Sequence, residues 1–402
     1  MAGIIPGITP ILLLLFASLQ ACSEQQSNHI PLHTPAFEPL PLDSQLQAFL
    51  DDFDGYFRDS MILTMTPGAA VVVVKDGRIV FLKCYGVAAE GSTQKVDAHT
   101  VFRVGSLSKG FASVLTGILV DKGYLTWDTK IQRYLPEFKL RDKEQARRVE
   151  IRHLLSHTTG LPYHTFTNLI EEGLDLKTIL GYLPYVKLSG REGEVYSYQN
   201  VAFSLIQPIM HTLTEKTFQQ LLQENIFELA GMTDASCDFS TMQVCSNKAL
   251  PHRLTEAAWV ADTISPLYYD DFVAAGGVNA SINDMGEWLK LLLGHKPDII
   301  STTTLDEVFK PVIGTGLERA VLSGFIHRDS ASYALGWRIL HHEDNLLVYH
   351  AGMVNNFLAE IAFSRQDDIG LCVLFNAPTP MAGQCIQAFF QRWNKSQKTP
   401  IF

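Results

Sequence analysis

In the stretch Val104–Val120, VGSLSKGFASVLTGILV, a serine and a lysine stand three residues apart at the head of an apolar-patterned segment. Residues at that spacing share one face of a helix, so Ser106 and Lys109 can meet. Phe111, Val114, Leu115, Ile118 and Leu119 mark the buried face of a helix predicted from Ser106 to Lys122, with Gly123 to stop it. A lysine held near that face loses hydration, and its pKa falls. The neutral amine can then take the serine's proton and turn the hydroxyl into a nucleophile. Amides at the helix start can stabilise the oxyanion that its attack creates. The plainer alternative is an N-capping serine with a lysine reaching out to solvent. A second S-x-x-K, Ser92–Lys95, lies in a polar stretch with no helical pattern after it. The spacing alone therefore decides nothing.

The elements that must position such a pair are legible along the chain. Asp43 to Arg58 has leucines and phenylalanines at helical spacing and is predicted to open the fold as a helix. After Pro67, GAAVVVVKDGRIVFLKCYGVA reads as two strands joined at Asp76–Gly77, a hairpin signal. From about residue 100 to 293 the pattern is mostly helical. Beyond it, YALGWRIL, NLLVYHAGMV, NFLAEIAFS and IGLCVLFNA read as successive strands, and Gln384 to Asn394 as a closing helix. Strands at both ends with helices between them predict an α+β domain over 43–395, one antiparallel sheet built from the two termini and flanked by helices.

The 402 residues carry a formal charge of −10 and no basic run longer than Arg147–Arg148, which gives a nucleic acid nothing to bind. Residues 1–21 contain no charge and hold a short apolar core, Ile11–Phe16, after Pro6, Gly7 and Pro10. This suits a signal peptide better than a spanning helix. The ending SLQAC resembles a bacterial lipobox, with Cys22 as the residue to be acylated, although no basic residue precedes the core and Gln20 is bulky. The expectation is an exported chain held at a membrane by a lipid on Cys22, or by an uncleaved segment, with residues 22–42 as a polar, proline-dotted tether. Five cysteines remain. Cys237 and Cys245 are close enough in sequence to close a small disulfide loop, whereas Cys84 and Cys372 sit in apolar runs as small core residues.

Three further segments follow the S-x-x-K pair in order, and together they carry a resemblance. IRHLLSHTTGLP (Ile151–Pro162), EGEVYSYQNVAF (Glu192–Phe203) with Tyr198-Gln199-Asn200, and YHAGMVNNF (Tyr349–Phe357) resemble elements of the serine β-lactamase and penicillin-binding-protein superfamily, class C-like in pattern. IFELAGMTDAS and FVAAGGVNASINDMGEWL extend the likeness over about residues 45–390. The resemblance implies a β-lactamase/transpeptidase-like fold and no cofactor or metal. It implies Ser106 as the acylated nucleophile, Lys109 as its proton acceptor and Tyr198 as a second acid/base. It implies an oxyanion hole from the amides of Ser106 and Met353. Asn200, His350, Ala351 and Gly352 would bind substrate, Asn200 by holding the lysine amine or a substrate amide. A tyrosine is a poor base unless cationic neighbours help it.

His350 departs from the lysine that resembling penicillin-destroying enzymes carry there. A histidine is largely neutral near pH 7, so recognition of a substrate carboxylate should be weaker. The implied substrates are β-lactams or D-Ala-type cell-wall peptides; an esterase using the same three residues, or a catalytically weak binding protein on the same fold, are the alternatives. Oligomeric state is left open. His153 and His157, four apart in HLLSH, invite a zinc reading but lack the glutamate of H-E-x-x-H and a third ligand, and are expected to be structural. There is no G-x-S-x-G, P-loop or Rossmann glycine pattern. Gly276–Gly277 is expected to permit close packing beside the site.

Overall fold

Asp43 starts the folded part by capping a helix. Its carboxylate accepts from the amides of Gln45 and Leu46, and helix α1 runs Ser44–Thr64, one and a half turns beyond the expected end. Nothing after Arg58 breaks a helix until Met65 turns left-handed (φ 51°) ahead of Pro67. The protein was described from a computed structural model, and the structure describes residues 42–256, 258–315, 331–342 and 345–398. The expected signal peptide, Cys22 and nearly all of the tether lie outside the described residues. No described helix is long and apolar enough to cross a membrane.

Strands β1 (Gly68–Lys75) and β2 (Arg78–Gly86) form the expected hairpin, with Asp76 and Gly77 both at positive φ, as a tight two-residue turn requires. Along β1 the side chains alternate between two layers. Ala70, Val72 and Val74 enter one core, while Ala69, Val71 and Val73 enter another. Two-residue strands β3 (Phe102–Arg103) and β6 (Asn279–Ala280) pair with each other, as do β4 (His252–Leu254) and β5 (Trp259–Ala261). The sheet is completed by β7 (Ile313–Gly314), β8 (Ala331–Tyr333), β9 (Arg338–His342), β10 (Asn345–Val354), β11 (Phe357–Ser364) and β12 (Ile369–Phe375). Its order is β2-β1-β12-β11-β10-β9-β8-β7, antiparallel throughout.

Pairing β1 with β12 joins the two ends of the chain, as the strand pattern predicts. One segment expected as a single strand, YALGWRIL, is instead two, because Gly336 adopts φ 77° between β8 and β9. Behind the sheet α1 packs on the C-terminal helix Cys385–Lys398, with Phe49 and Phe53 meeting Phe389 edge-on at 5.0 Å. In front lies the larger core, which includes helix α2 (Ser108–Asp121) and the helix Ile282–Leu292. The helical part runs on to Thr302–Phe309, past the expected limit. The described residues from Leu42 onward form one compact unit. The expected α+β architecture, one antiparallel sheet joining both ends of the chain and flanked by helices, is the one observed.

All five described cysteines carry free thiols. Cys237 and Cys245, close enough in sequence to pair, are not joined: Cys237 is buried in the large core, while Cys245 packs on a small cluster around Val101, Met242 and Tyr269.

Candidate active site

The expected helix over Ser106–Lys122 forms in two pieces. Gly105–Leu107 is a single tight 3-10 turn, and α2 follows from Ser108. Ser108 braces the junction, its hydroxyl donating to Gly105 O at 2.7 Å and accepting from the Val278 amide at 3.0 Å. Ser106 is half-buried at the head of this turn, and Lys109 is fully buried one turn on. Lys109 Nζ lies 3.2 Å from Ser106 Oγ, 2.9 Å from Asn200 Oδ1 and 2.8 Å from Ala275 O. Burial, helped by the positive charge of Arg338, holds its pKa well below the ordinary lysine value. A neutral amine has two N–H donors and one lone pair. Asn200 and Ala275 offer only oxygen acceptors, so they take the two donors and leave the lone pair for the serine hydroxyl. The control pair Ser92 and Lys95 is exposed in a loop.

Asn200 opens the short helix Asn200–Ser204, and its amide nitrogen donates to Tyr268 Oη at 3.2 Å. Both ends of the side chain are engaged, so of its two expected roles the structure shows the one toward lysine. Tyr268, whose hydroxyl burial pushes to about 12, packs over Gly276 and Gly277; a Cβ on Gly277 would stand 2.3 Å from Tyr268 O. That brings the Ala275 carbonyl against Lys109.

Tyr198 is buried, its ring centroid 4.7 Å from Lys109 Nζ. His157 stacks on the same ring at 4.3 Å, and the Arg338 guanidinium lies 5.5 Å from it. His153 is elsewhere, its Nδ1 accepting from the Glu150 amide in a helix cap, so the two histidines of HLLSH serve different parts of the fold.

Strand β10 runs directly against the 3-10 turn. A Cβ on Gly352 would lie 2.1 Å from Val104 O and 2.9 Å from Ser106 N, and one on Gly105 would lie 2.8 Å from Met353 N. The amides of Ser106 and Met353 are therefore brought side by side, the first from a turn whose leading N–H groups have no helical acceptor. The Met353 side chain is 69% exposed, so it borders whatever enters.

Two residues expected to touch substrate do not present themselves to it. His350 has no exposed surface; its Nδ1 donates to Ala351 O at 2.8 Å, and Nε2 accepts from Tyr333 Oη at 3.1 Å. Burial, with Arg338 and Lys109 nearby, keeps it neutral by pushing its pKa well down. The Ala351 methyl packs into the core behind the sheet, because alternate residues of a strand face opposite ways. The cation beside the site is Arg338 on β9, which the sequence reading passed over, as it did Tyr333, Tyr268 and the Ala275 carbonyl. Only Arg338 carries a signal that could have been used: a charged residue inside an apolar strand pattern. No cluster of three His, Cys, Asp or Glu suited to a metal occurs among the described residues.

A family model described as Beta-lactamase matches residues 53–392. The chain is 26% identical to the unguisins hydrolase ungD' of Aspergillus campestris over 82% of its own length and 61% of that protein's. It is 23% identical to Protein flp of Staphylococcus aureus, over 77% and 59% respectively. The chain thus spans about three fifths of the length of these curated relatives. In structure it is similar to the octameric penicillin-binding protein homologue from Pyrococcus abyssi, with a TM-score of 0.75 and 20% identity over 85% of this chain and 77% of that one.

Proposed function

The chain belongs to the beta-lactamase family, and from that premise we propose that it is a serine hydrolase that forms an acyl-enzyme on Ser106, with β-lactams or D-Ala-type cell-wall peptides as substrates. One observation carries the reading: a fully buried amine 3.2 Å from a half-buried hydroxyl.

Lys109 takes the Ser106 proton as Oγ attacks the carbonyl. The ammonium so formed keeps Asn200 Oδ1 and Ala275 O as acceptors and faces the Tyr198 ring at 4.7 Å, a favourable cation–π contact. The oxyanion meets the amides of Ser106 and Met353. Tyr198 passes a proton to the leaving group, and in the second half-reaction helps water to attack the ester. The name of one relative, a hydrolase, is consistent with this chemistry. An esterase reading draws support from the neutral, buried His350, which offers a substrate carboxylate no charge of its own. We also propose export and acylation at Cys22, tested by palmitate labelling that Cys22→Ala abolishes; equal labelling of the variant would refute it.

The deciding experiment assays a chromogenic cephalosporin, a p-nitrophenyl ester and a D-Ala-D-Ala peptide in parallel, with Ser106→Ala as the blank. Turnover of the first or third that is lost in the blank supports the proposal. Turnover of the ester alone favours the esterase, and activity retained by Ser106→Ala removes Ser106 as nucleophile.

A further inference from the structure

His157 touches the segment carrying Tyr198 at three points. Its carbonyl accepts from the Ser197 amide at 2.9 Å, and its Nδ1 accepts from the Gln199 amide at 3.1 Å. These amides belong to the residues immediately before and after Tyr198. Its ring then lies against the tyrosine ring itself, centroids 4.3 Å apart and tilted by 40°. Phe203 at 5.2 Å and Tyr333 at 4.9 Å close the box around the imidazole.

Reaching both amides from one residue needs an unusual backbone. His157 has φ 57°, in the left-handed region, uncommon outside glycine and entered chiefly by asparagine, aspartate and histidine. It also leaves a polar atom stranded. Because Nδ1 accepts, the ring proton is on Nε2, and Nε2 meets no hydrogen-bond partner among the described residues although the residue is 1% exposed. A buried donor left unpaired is costly. A phenylalanine would remove that cost and fill the same aromatic box, but it would strip the Gln199 amide of its acceptor. The histidine's strain and its unpaired nitrogen are both accounted for if the fold needs that acceptor at that place.

We propose that His157 is a positioning residue which holds the Tyr198 hydroxyl in register with Ser106 and Lys109, an inference that rests on the reading of Tyr198 as the proton shuttle. His157 does not itself exchange protons with substrate; it acts through the backbone amides of Ser197 and Gln199 and through the tyrosine ring it packs on.

The test uses the full chain, wild type and with His157→Ala and His157→Asn, each alone and combined with Tyr198→Phe. Asparagine tolerates the left-handed backbone, and its Oδ1 can replace Nδ1 as acceptor. Hydrogen–deuterium exchange of the peptide spanning Ser197–Asn200 should rise about tenfold or more in His157→Ala, the scale of one lost buried hydrogen bond, and stay near wild type in His157→Asn. Unchanged exchange in His157→Ala overturns the clamp, with or without a known substrate. Lifetimes of the Ser106 acyl-enzyme with a fluorescent penicillin supply the second arm. His157→Ala should lengthen the lifetime about tenfold, with partial rescue by asparagine, and should add little in the Tyr198→Phe background because the hydroxyl being positioned is already gone. Full multiplicative loss in that background overturns the proposal. A wild type that takes up no penicillin and turns over neither an ester nor a D-Ala-D-Ala peptide would instead sink the function proposed above, while the exchange arm still judges the clamp.

Discussion

Arg338 Nη1 approaches His350 Nε2 to 3.5 Å across the neighbouring strands β9 and β10, so the positive charge of the site stands beside the histidine and not on it. That arrangement decides what a lysine at position 350 would meet. Replacing His350 by lysine, as in enzymes that bind a substrate carboxylate there, would place a second cation in a slot with no exposed surface. Like charges at that distance repel strongly where water is excluded. His350→Lys should therefore lower stability by about 3 kcal/mol or more, the scale of an uncompensated buried charge, without improving turnover of carboxylate-bearing β-lactams. Thermal denaturation and cephalosporin kinetics measured together check this; faster turnover at unchanged melting temperature would show that the lysine finds the substrate after all.

Arg338 also acts on Lys109. Its charge adds to burial in disfavouring the ammonium form, so removing it lets the lysine pKa rise. The sign follows directly: at any given pH a larger fraction of Lys109 is protonated, the base is lost, and the acid limb of acylation moves to higher pH. Arg338→Met should lose most on the acid side of the profile, about tenfold or less on the scale of a mis-protonated general base, and recover toward wild type as the pH rises. A pH profile of Ser106 acylation decides it, and a uniform loss at every pH would assign Arg338 to packing.

Lys109 itself allows a stricter substitution. Arginine keeps much of the length but brings a permanent charge and does not become a neutral base in a protein. The slot offers two acceptors and one hydroxyl, which matches a neutral amine and not a guanidinium with five donors. Lys109→Arg should reduce acylation about 10²–10⁴-fold, measured by single-turnover labelling. Labelling within a few-fold of wild type would mean the serine is activated by something else.

How far the sequence carried these conclusions depends on how local each feature is. Ser106 and Lys109 are one helical turn apart, so a spacing rule could join them. The hairpin at Asp76–Gly77 and strands β10 to β12 were likewise legible, since alternating patterns and turn residues act over a few positions. The Ala275 carbonyl was not, because a backbone acceptor has no residue type to read. Arg338 and His350 meet only through the pairing of β9 with β10, and their burial follows from layers that form when the whole sheet closes. His157 was expected to be structural, but nothing local told that its ring would lie on Tyr198, forty-one positions away in the chain.

The fit of β10 against the nucleophile turn gives the last prediction. Gly352 faces the turn so closely that an added methyl would sit 2.1 Å from the Val104 carbonyl and 2.9 Å from the Ser106 amide. Both neighbours are backbone, so neither can swing aside as a flexible side chain would. Gly352→Ala must push the strand and the turn apart, and those two pieces hold the paired amides of Ser106 and Met353. Overpacking of this kind costs about 1–3 kcal/mol of stability. The catalytic loss should be larger than that suggests, about 10²–10³ in kcat, because a displaced oxyanion donor acts chiefly on the transition state. Substrate affinity in the ground state should change little, so the loss falls on kcat with KM nearly constant. Steady-state kinetics on whichever substrate class the parallel assay selects separates the two. A rise in KM at unchanged kcat would mean that the strand edge binds substrate but that its amide does not stabilise the oxyanion.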